Sequence, residues 1–530
     1  EQVTVAKAVT LLGSGSGAAG TVLRGTGAGI GLQVSASGIE SERLLFSGLR
    51  LTGFACGLTT GGSHLEFRDV ASVNNATYGV NLGNGSDLVF DACDISDNPT
   101  GIKLSTAGVI DGFQILNSTV NRNSLQGMYI AQASDGSGRF ENVVVRDCVF
   151  ADNGQKGLYI EKLSDARFEN LVVEHSGHDA AYAWSAGVDI NLKHRTDYRN
   201  ILFLNPEVRD CGVGSLYGVG MTIKARDDAP SYSARPAVLA GVQVRNGLFD
   251  GNQLDLRFGE PAKANQSPTE VVVDACSLGR PLGGVALDNA MAAVAGTITA
   301  ESNWWGSARG PTHAANPGGD GAAASDHVDY SPWLGDGTDT STDIGFQPNL
   351  TPLYYTPTAL AFATQPGGAL AGSLLAPQPA VEVRNEIGGV ASQYTGEITL
   401  AIDTNPGGGA LGGDAAVNAT VGVGTFTDLS IDKAGAGYTL AASAAGLVGA
   451  TSTAFDVSNP APVLTGLDPI WKTAGGVEFT LTASGSGFVN GSKVLWGGVE
   501  RPTVFQSATE LTATIPAADI AATGTVAVAV

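Results

Sequence analysis

A short block, glycine followed by an apolar, a variable and an apolar residue, constrains the fold of this chain more than any other feature. It reads Gly79-Val80-Asn81-Leu82, Gly101-Ile102-Lys103-Leu104, Gly127-Met128-Tyr129-Ile130, Gly157-Leu158-Tyr159-Ile160, Gly187-Val188-Asp189-Ile190 and Gly220-Met221-Thr222-Ile223. Two looser copies follow, Gln253-Leu254-Asp255-Leu256 and Gly284-Val285-Ala286-Leu287. Successive copies start 22 to 33 residues apart. A second apolar block lies between them, as in Leu88-Val89-Phe90, Val143-Val144-Val145 and Val271-Val272-Val273. An Asx-type turn usually follows it. Asn75, Asn98, Asn123, Asn153 and Asn252 mark that turn, where asparagine tolerates left-handed backbone and bonds locally.

Several short strands per unit, turn residues at the corners and little helical periodicity describe the coils of a parallel β-solenoid. Each unit of such a fold buries its apolar face only against the next. A leucine-rich frame is absent, and a propeller blade needs more residues per unit. The 73 glycines in 530 residues are about twice the usual share, but they follow no three-residue period, which excludes collagen. An apolar content of 43% supports a packed interior. A net charge of −22 argues against nucleic acid as a partner, because phosphate binding needs clustered Lys and Arg. It suits divalent cations held by carboxylates. No apolar run is long enough for a transmembrane helix.

On these repeats, residues 1–335 resemble the right-handed parallel β-helix proteins of the pectate-lyase-like superfamily. The opening Val3-Thr4-Val5 through Leu11-Leu12-Gly13 looks like their first coils. The block Asn303-Trp304-Trp305-Gly306, with Gly310-Pro311 and Tyr330-Ser331-Pro332-Trp333-Leu334, resembles the closing segment of bacterial surface β-helices, where bulky aromatics plug the last coil. Residues 336–357 read as a linker rich in Gly, Asp and Thr. Residues 358–458 resemble a bacterial Ig-like domain through Thr395-Gly396, Asn405-Pro406-Gly407-Gly408 and Leu429-Ser430-Ile431-Asp432. Residues 459–530 resemble an IPT/TIG domain through Leu467-Asp468-Pro469, Gly485-Ser486-Gly487-Phe488 and Leu511-Thr512-Ala513-Thr514-Ile515-Pro516, with the closing strand lacking. The resemblance implies an all-β chain: a right-handed parallel β-helix followed by two Ig-like β-sandwich modules. Both ends read as cut from a longer exported chain of a bacterium, located outside the cell or on its surface.

Cys56, Cys93, Cys148, Cys211 and Cys276 are an odd number for an exported chain. One column after the second block is expected to run Cys93, Ser118, Cys148, Ser176, Cys211, Gly247, Cys276. Its cysteines would then stand two coils apart, ~9.6 Å at ~4.8 Å per coil, beyond the ~7 Å reach of a disulfide.

The outward position of the first block is expected to carry Asn81, Lys103, Tyr129, Tyr159, Asp189, Thr222 and Asp255. A second outward column carries Glu161, Asn191, Lys224 and Arg257, with Lys193 and Arg226 beyond it and Asp227, Asp228 and Glu260 in the adjacent turns. In a chain with only 15% charged residues this concentration is unusual. Loops 176–186 and 228–236 could wall a groove for an extended polysaccharide, with Tyr129 and Tyr159 stacking on its sugars and Glu161, Asn191, Lys193, Lys224 and Arg257 binding it. If the face is catalytic, Asp189 and Asp255 are the candidates for a hydrolase pair. A lyase would use Lys224 or Arg226 as base, with calcium at Asp227 and Asp228. The bland alternative is a salt-bridged ladder. Asn-x-Asp and Gly-His-Gly motifs are absent, and Arg309-Gly310-Pro311 is not followed by the second arginine of pectate lyases. His175, His178 and His194 form a weaker metal candidate.

Module resemblance and missing catalytic motifs together imply a structural or adhesive surface or matrix protein. Its expected partners are further copies of itself, in a filament, sheath or layer, and extracellular polysaccharide. The rival expectation is a polysaccharide lyase or glycoside hydrolase acting along the charged face.

Overall fold

In the computed structural model, which describes residues 2–530, the repeated blocks become the rungs of a twelve-stranded parallel sheet. It begins at Val3–Val5 and continues through Tyr78–Leu82, Thr100–Leu104, Gln126–Ile130, Lys156–Ile160, Ala186–Leu192, Val219–Ala225 and Leu256–Phe258 to Ala323–Ala324. The second blocks form a sixteen-stranded parallel sheet from Leu11–Leu12 to Val328–Asp329. A chain that alternates between two parallel sheets, always pairing with the previous turn, is wound as a β-helix. Each of its coils turns a corner at a residue with left-handed backbone. One such column is Asn74, Asp97, Arg122, Asp152, His175 and Asp210.

The first four of these immediately precede asparagines assigned to the turn from sequence, and the last two precede Ser176 and Cys211. The asparagines themselves are not left-handed; they are buried and point inward. Asn75, Asn98 and Asn123 accept nothing from their own turn. Instead the Oδ1 of Asn98 takes the amide of Asn75 at 3.0 Å, and the Oδ1 of Asn123 takes that of Asn98 at 3.1 Å. The ladder satisfies buried amides that the corner would otherwise orphan. It also explains the glycine of the repeat. A Cβ on Gly79 or Gly101 would come within 2.8 or 3.0 Å of the Nδ2 of Asn98 or Asn123, so only glycine leaves the ladder its space.

The interior is otherwise apolar. Phe46, Phe67, Phe90, Phe113 and Phe140 stack one per coil, with ring centroids 4.8 to 5.8 Å apart. Each is fully buried, worth about 1.5–3 kcal/mol. At the far end Trp305 and Trp333 are both 0% exposed and close the core. Trp333 lies against Gly310, whose missing side chain and φ of +76° make room for the indole. Trp304 stays half-buried on the outside.

Cys56 lies in the strand Cys56–Thr60 of the first sheet, and the four cysteines expected in one column divide between two corner columns. Cys93, Ser118, Cys148 and Cys276 share the first; strand pairing of Cys148 with Leu171 places Leu171 there too. Ser176 and Cys211 stand in the asparagine ladder, where Cys211 donates its backbone amide to Asn252 Oδ1 at 3.0 Å and the Oγ of Ser176 accepts that of Asn153 at 3.2 Å. All five thiols are free and buried. Burial pushes Cys93, Cys148 and Cys211 up to about 12, so they remain neutral and unreactive in the folded chain. A thiol reagent is expected to count five groups in denaturant and essentially none in the native protein. A native count of two or more would contradict the burial.

The stretch read as a linker belongs to the β-helical unit, which extends to Thr356. Phe346 is buried, its amide bonds Asn246 O at 2.7 Å, and Gly345 donates to Glu207 Oε1 at 3.1 Å. Leu353–Tyr354 pairs antiparallel with Trp333–Leu334. Low hydropathy hid this strap, because it docks by backbone bonds and one phenylalanine.

The second unit, Pro357–Val530, holds two separate apolar cores built from antiparallel sheets. The first is centred on Val381, Ile398, Leu400 and Tyr438, whose hydroxyl donates to Lys433 O at 2.9 Å. The second is centred on Leu481, Ala483, Leu511 and Ile515. Here the closing strand that looked lacking is present: Val528–Ala529 pairs with Leu495–Trp496.

Candidate functional site

The charged face is real, but its register differs from the sequence reading at one end. Asn81, Lys103, Tyr129, Tyr159, Asp189 and Thr222 do stack in adjacent coils. The next rung slips by two residues, so Thr222 pairs with Arg257 and Arg257 with Asp288. Arg257 therefore continues the first column, held by Asp288 at 2.9 Å, and not the second. Asp255 leaves the face altogether. It falls at the glycine position of the repeat and is 0% exposed, receiving a bond from Asn252 Nδ2 at 3.0 Å. It cannot pair with Asp189 as a hydrolytic acid.

Around Asp189 the chain builds a continuous ionic network. Lys156 reaches one carboxylate oxygen at 2.5 Å, and Lys224 lies 3.4 Å from the other. Lys224 is also 3.4 Å from Glu260, which takes Arg226 at 2.9 Å. Arg226 in turn grips Asp228 with two bonds of 2.7 and 3.0 Å. A second cluster joins it along the sheet: Tyr159 OH donates to Glu161 at 2.8 Å, Lys193 pairs with Glu161, and Asn191 donates to Tyr159 OH at 3.1 Å. Burial would raise the Asp189 carboxyl, but Lys156 and Lys224 outweigh it and hold it below the usual carboxylate range. Burial lowers Lys224, with Lys156 adding to the effect. The Tyr159 phenol is raised far above its ordinary value, first by burial and then by Glu161 and Asp189.

The face is also roofed. Loop 176–186 lays Trp184 within 5.5 Å of the Lys224 ammonium and Tyr182 within 5.5 Å of that of Lys156. Trp184 stacks on Tyr217 at 4.2 Å. Loop 228–236 sets Tyr232 over Arg226 at 4.5 Å. Beneath this cover the side chains of Asp189, Lys224, Glu260 and Arg226 are exposed by only 1, 5, 7 and 12%.

Nor are the tyrosine faces free to stack on sugars. Tyr129 is covered by the Lys103 ammonium at 3.2 Å on one side and Tyr159 at 5.1 Å on the other. Lys156 lies 3.8 Å over Tyr159. The calcium candidates are occupied by donors as well. Asp227 accepts Asn265 Nδ2 at 2.8 Å and the Gln266 amide at 2.9 Å, and Asp228 holds Arg226. Among the described residues no three His, Cys, Asp or Glu side chains converge as metal ligands. His175 and His178 stand 6.2 Å apart, and His194 packs on Tyr232.

Sequence reasoning missed Lys156, the closest partner of Asp189, although it directly precedes the Gly157 of its block. It also missed Lys162, wholly buried, whose ammonium is cradled by the carbonyls of Ser105, Thr106 and Gly108 at 3.0, 2.9 and 2.7 Å.

Residues 14–173 match the right handed beta helix region, and residues 462–530 match the IPT/TIG domain. No curated protein matches the chain. Among solved structures, the A-module of the Azotobacter vinelandii mannuronan C-5 epimerase AlgE4 is 12% identical, over 50% of this chain and 69% of that one, with a TM-score of 0.33. The tailspike protein gp49 of Acinetobacter baumannii bacteriophage Fri1, a capsular polysaccharide depolymerase, is 11% identical over 94% and 68%, with a TM-score of 0.35. Pectate lyase Pel9A is 13% identical over 49% and 66%, with a TM-score of 0.25. The chain carries a right-handed β-helix region followed by a C-terminal IPT/TIG domain.

Proposed function

We propose that this is a structural or adhesive protein of the bacterial cell surface or extracellular matrix, in which the β-helix is a rigid scaffold and the following Ig-like and IPT/TIG modules are spacers. The observation that carries this reading is the mutual ion pairing of the charged groups on this face. Asp189, Lys224 and Arg226, the groups with the right chemistry for acid–base work, are committed to one another or to neighbours and are at most 12% exposed. A general base must reach the proton it removes; these lie buried beneath the aromatic side chains of the loops above them. Such a ladder braces successive coils. Assembly into a filament, sheath or layer draws no support from an open edge beside Leu495–Trp496, because Val528–Ala529 fills that place.

A second reading, a polysaccharide lyase or glycoside hydrolase, is favoured by the same roof. Were loops 176–186 and 228–236 to open, they would bare a line of acids and bases flanked by Tyr182, Trp184 and Tyr232. Incubation of the purified protein with uronate-containing polymers separates the two. No new unsaturated or reducing ends are expected. Steady release of either kind, lost in Lys224→Ala and retained in Lys103→Ala, would overturn the structural reading and establish the enzymatic one.

A further inference from the structure

We propose that Asn490 is a site of spontaneous deamidation, the one Asn–Gly pair of this chain whose reacting groups the fold leaves free. The sequence holds four such pairs: Asn84-Gly85, Asn153-Gly154, Asn246-Gly247 and Asn490-Gly491. The reaction needs the glycine backbone nitrogen to reach the asparagine side-chain carbonyl. A bonded amide, a held side chain or a packed backbone each prevents it.

Three pairs are blocked in this way. Asn153 is 0% exposed, its Nδ2 donates to Val120 O at 2.9 Å, and Gly154 N donates to Asn123 O at 2.9 Å. Asn246 is left-handed with a φ of 53°, its Nδ2 donates to Asn205 Oδ1 at 3.1 Å, and Gly247 N points at Cys276 Sγ at 3.2 Å. Asn84 Oδ1 holds the Val109 amide at 2.9 Å, and Gly85 begins a strand paired with Ile110. The fourth pair forms the tip of a turn closed by Ser492 N to Val489 O at 2.9 Å and pinned by Val489 N to Ser492 Oγ at 3.0 Å. Asn490 and Gly491 are both exposed. Among the described residues neither the Asn490 side chain nor the Gly491 amide has a hydrogen-bond partner. Nothing lies within 4 Å of the place a Gly491 Cβ would take, and a turn glycine keeps its backbone free to rotate.

In the reaction the Gly491 nitrogen gives up its proton and bonds to Asn490 Cγ. The bond from Cγ to the side-chain nitrogen breaks, and ammonia leaves with that proton. Water then opens the succinimide at either carbonyl, giving aspartate or isoaspartate. The product carries one more negative charge beside Lys493, and the isoaspartate form lengthens the backbone of the turn that leads into Leu495–Trp496.

The test is to age the native full chain at neutral and mildly alkaline pH and map tryptic peptides by mass spectrometry. Trypsin releases Thr473 to Lys493 as one peptide containing Asn490. The amide-to-acid shift is expected to grow there, faster at the higher pH, while peptides carrying Asn84, Asn153 and Asn246 keep their amides until the chain is unfolded in denaturant. Asn490→Gln should remove the shift and the matching acidic species on ion exchange. Native protein that keeps the Asn490 amide while unfolded chain loses it, or equal rates at all four pairs in native protein, would overturn the proposal.

Discussion

Replacing Asp189 by alanine is expected to destabilise the β-helix by about 3–5 kcal/mol, the usual cost of removing one partner from a buried ion pair. The carboxylate is 1% exposed and stands between two buried ammonium groups, Lys156 at 2.5 Å and Lys224 at 3.4 Å. Its loss leaves both lysines without their counter-ion, and they then repel each other in a site roofed by Tyr182 and Trp184. Glu260 relieves Lys224 only in part. The double variant Asp189→Leu with Lys156→Leu is therefore expected to be more stable than Asp189→Ala, since it removes a charge of each sign and leaves Lys224 with Glu260. Guanidinium midpoints of the three proteins decide the matter. If Asp189→Ala unfolded at the parental midpoint, the network would not be a brace, and a role for Asp189 in chemistry would regain its place.

The winding of this chain was legible because its period is carried by residue types with no substitute. Glycine must leave space for the asparagine ladder, and the apolar residues beside it must point inward, so the block repeats visibly through Gly220. Legibility failed where the block loosened. In Gln253-Leu254-Asp255-Leu256 no glycine marks the start, and the apolar alternation continues through Phe258. Two registers then fit the pattern equally, and only the pairing of Met221 with Leu256 selects one. The charged face was readable as a concentration of Asp, Glu, Lys and Arg on one side. Its closure was not, because Trp184 and Tyr232 lie in loops whose course no periodicity fixes. The same limit hid the strap at Gly345-Phe346, which docks onto corners of coils about a hundred residues or more upstream.

Asp255 carries the second large effect, and it is one of pH. Its side chain is 0% exposed in the interior. One oxygen accepts Asn252 Nδ2 at 3.0 Å, and the other has no hydrogen-bond partner among the described residues. Burial, which the Asn252 bond only partly offsets, raises its carboxyl from an ordinary 3.8 to about 8, with Asp250 adding a little. Between those values the folded chain holds a proton that the unfolded chain has released, so stability declines as pH rises and levels off above about 8. At about 1.4 kcal/mol per unit of pKa, the decline is on the order of 5 kcal/mol. Asp255→Asn supplies a neutral group of the protonated acid's shape and keeps an acceptor for Asn252. The variant is expected to match the parent near pH 4 and to exceed it by a few kcal/mol near pH 9, because it has no charge to bury at either pH. Denaturant midpoints across that range measure the difference. Parallel curves for parent and variant would mean that Asp255 is ionised inside the β-helix, with a counter-charge or water supplying what its free oxygen lacks.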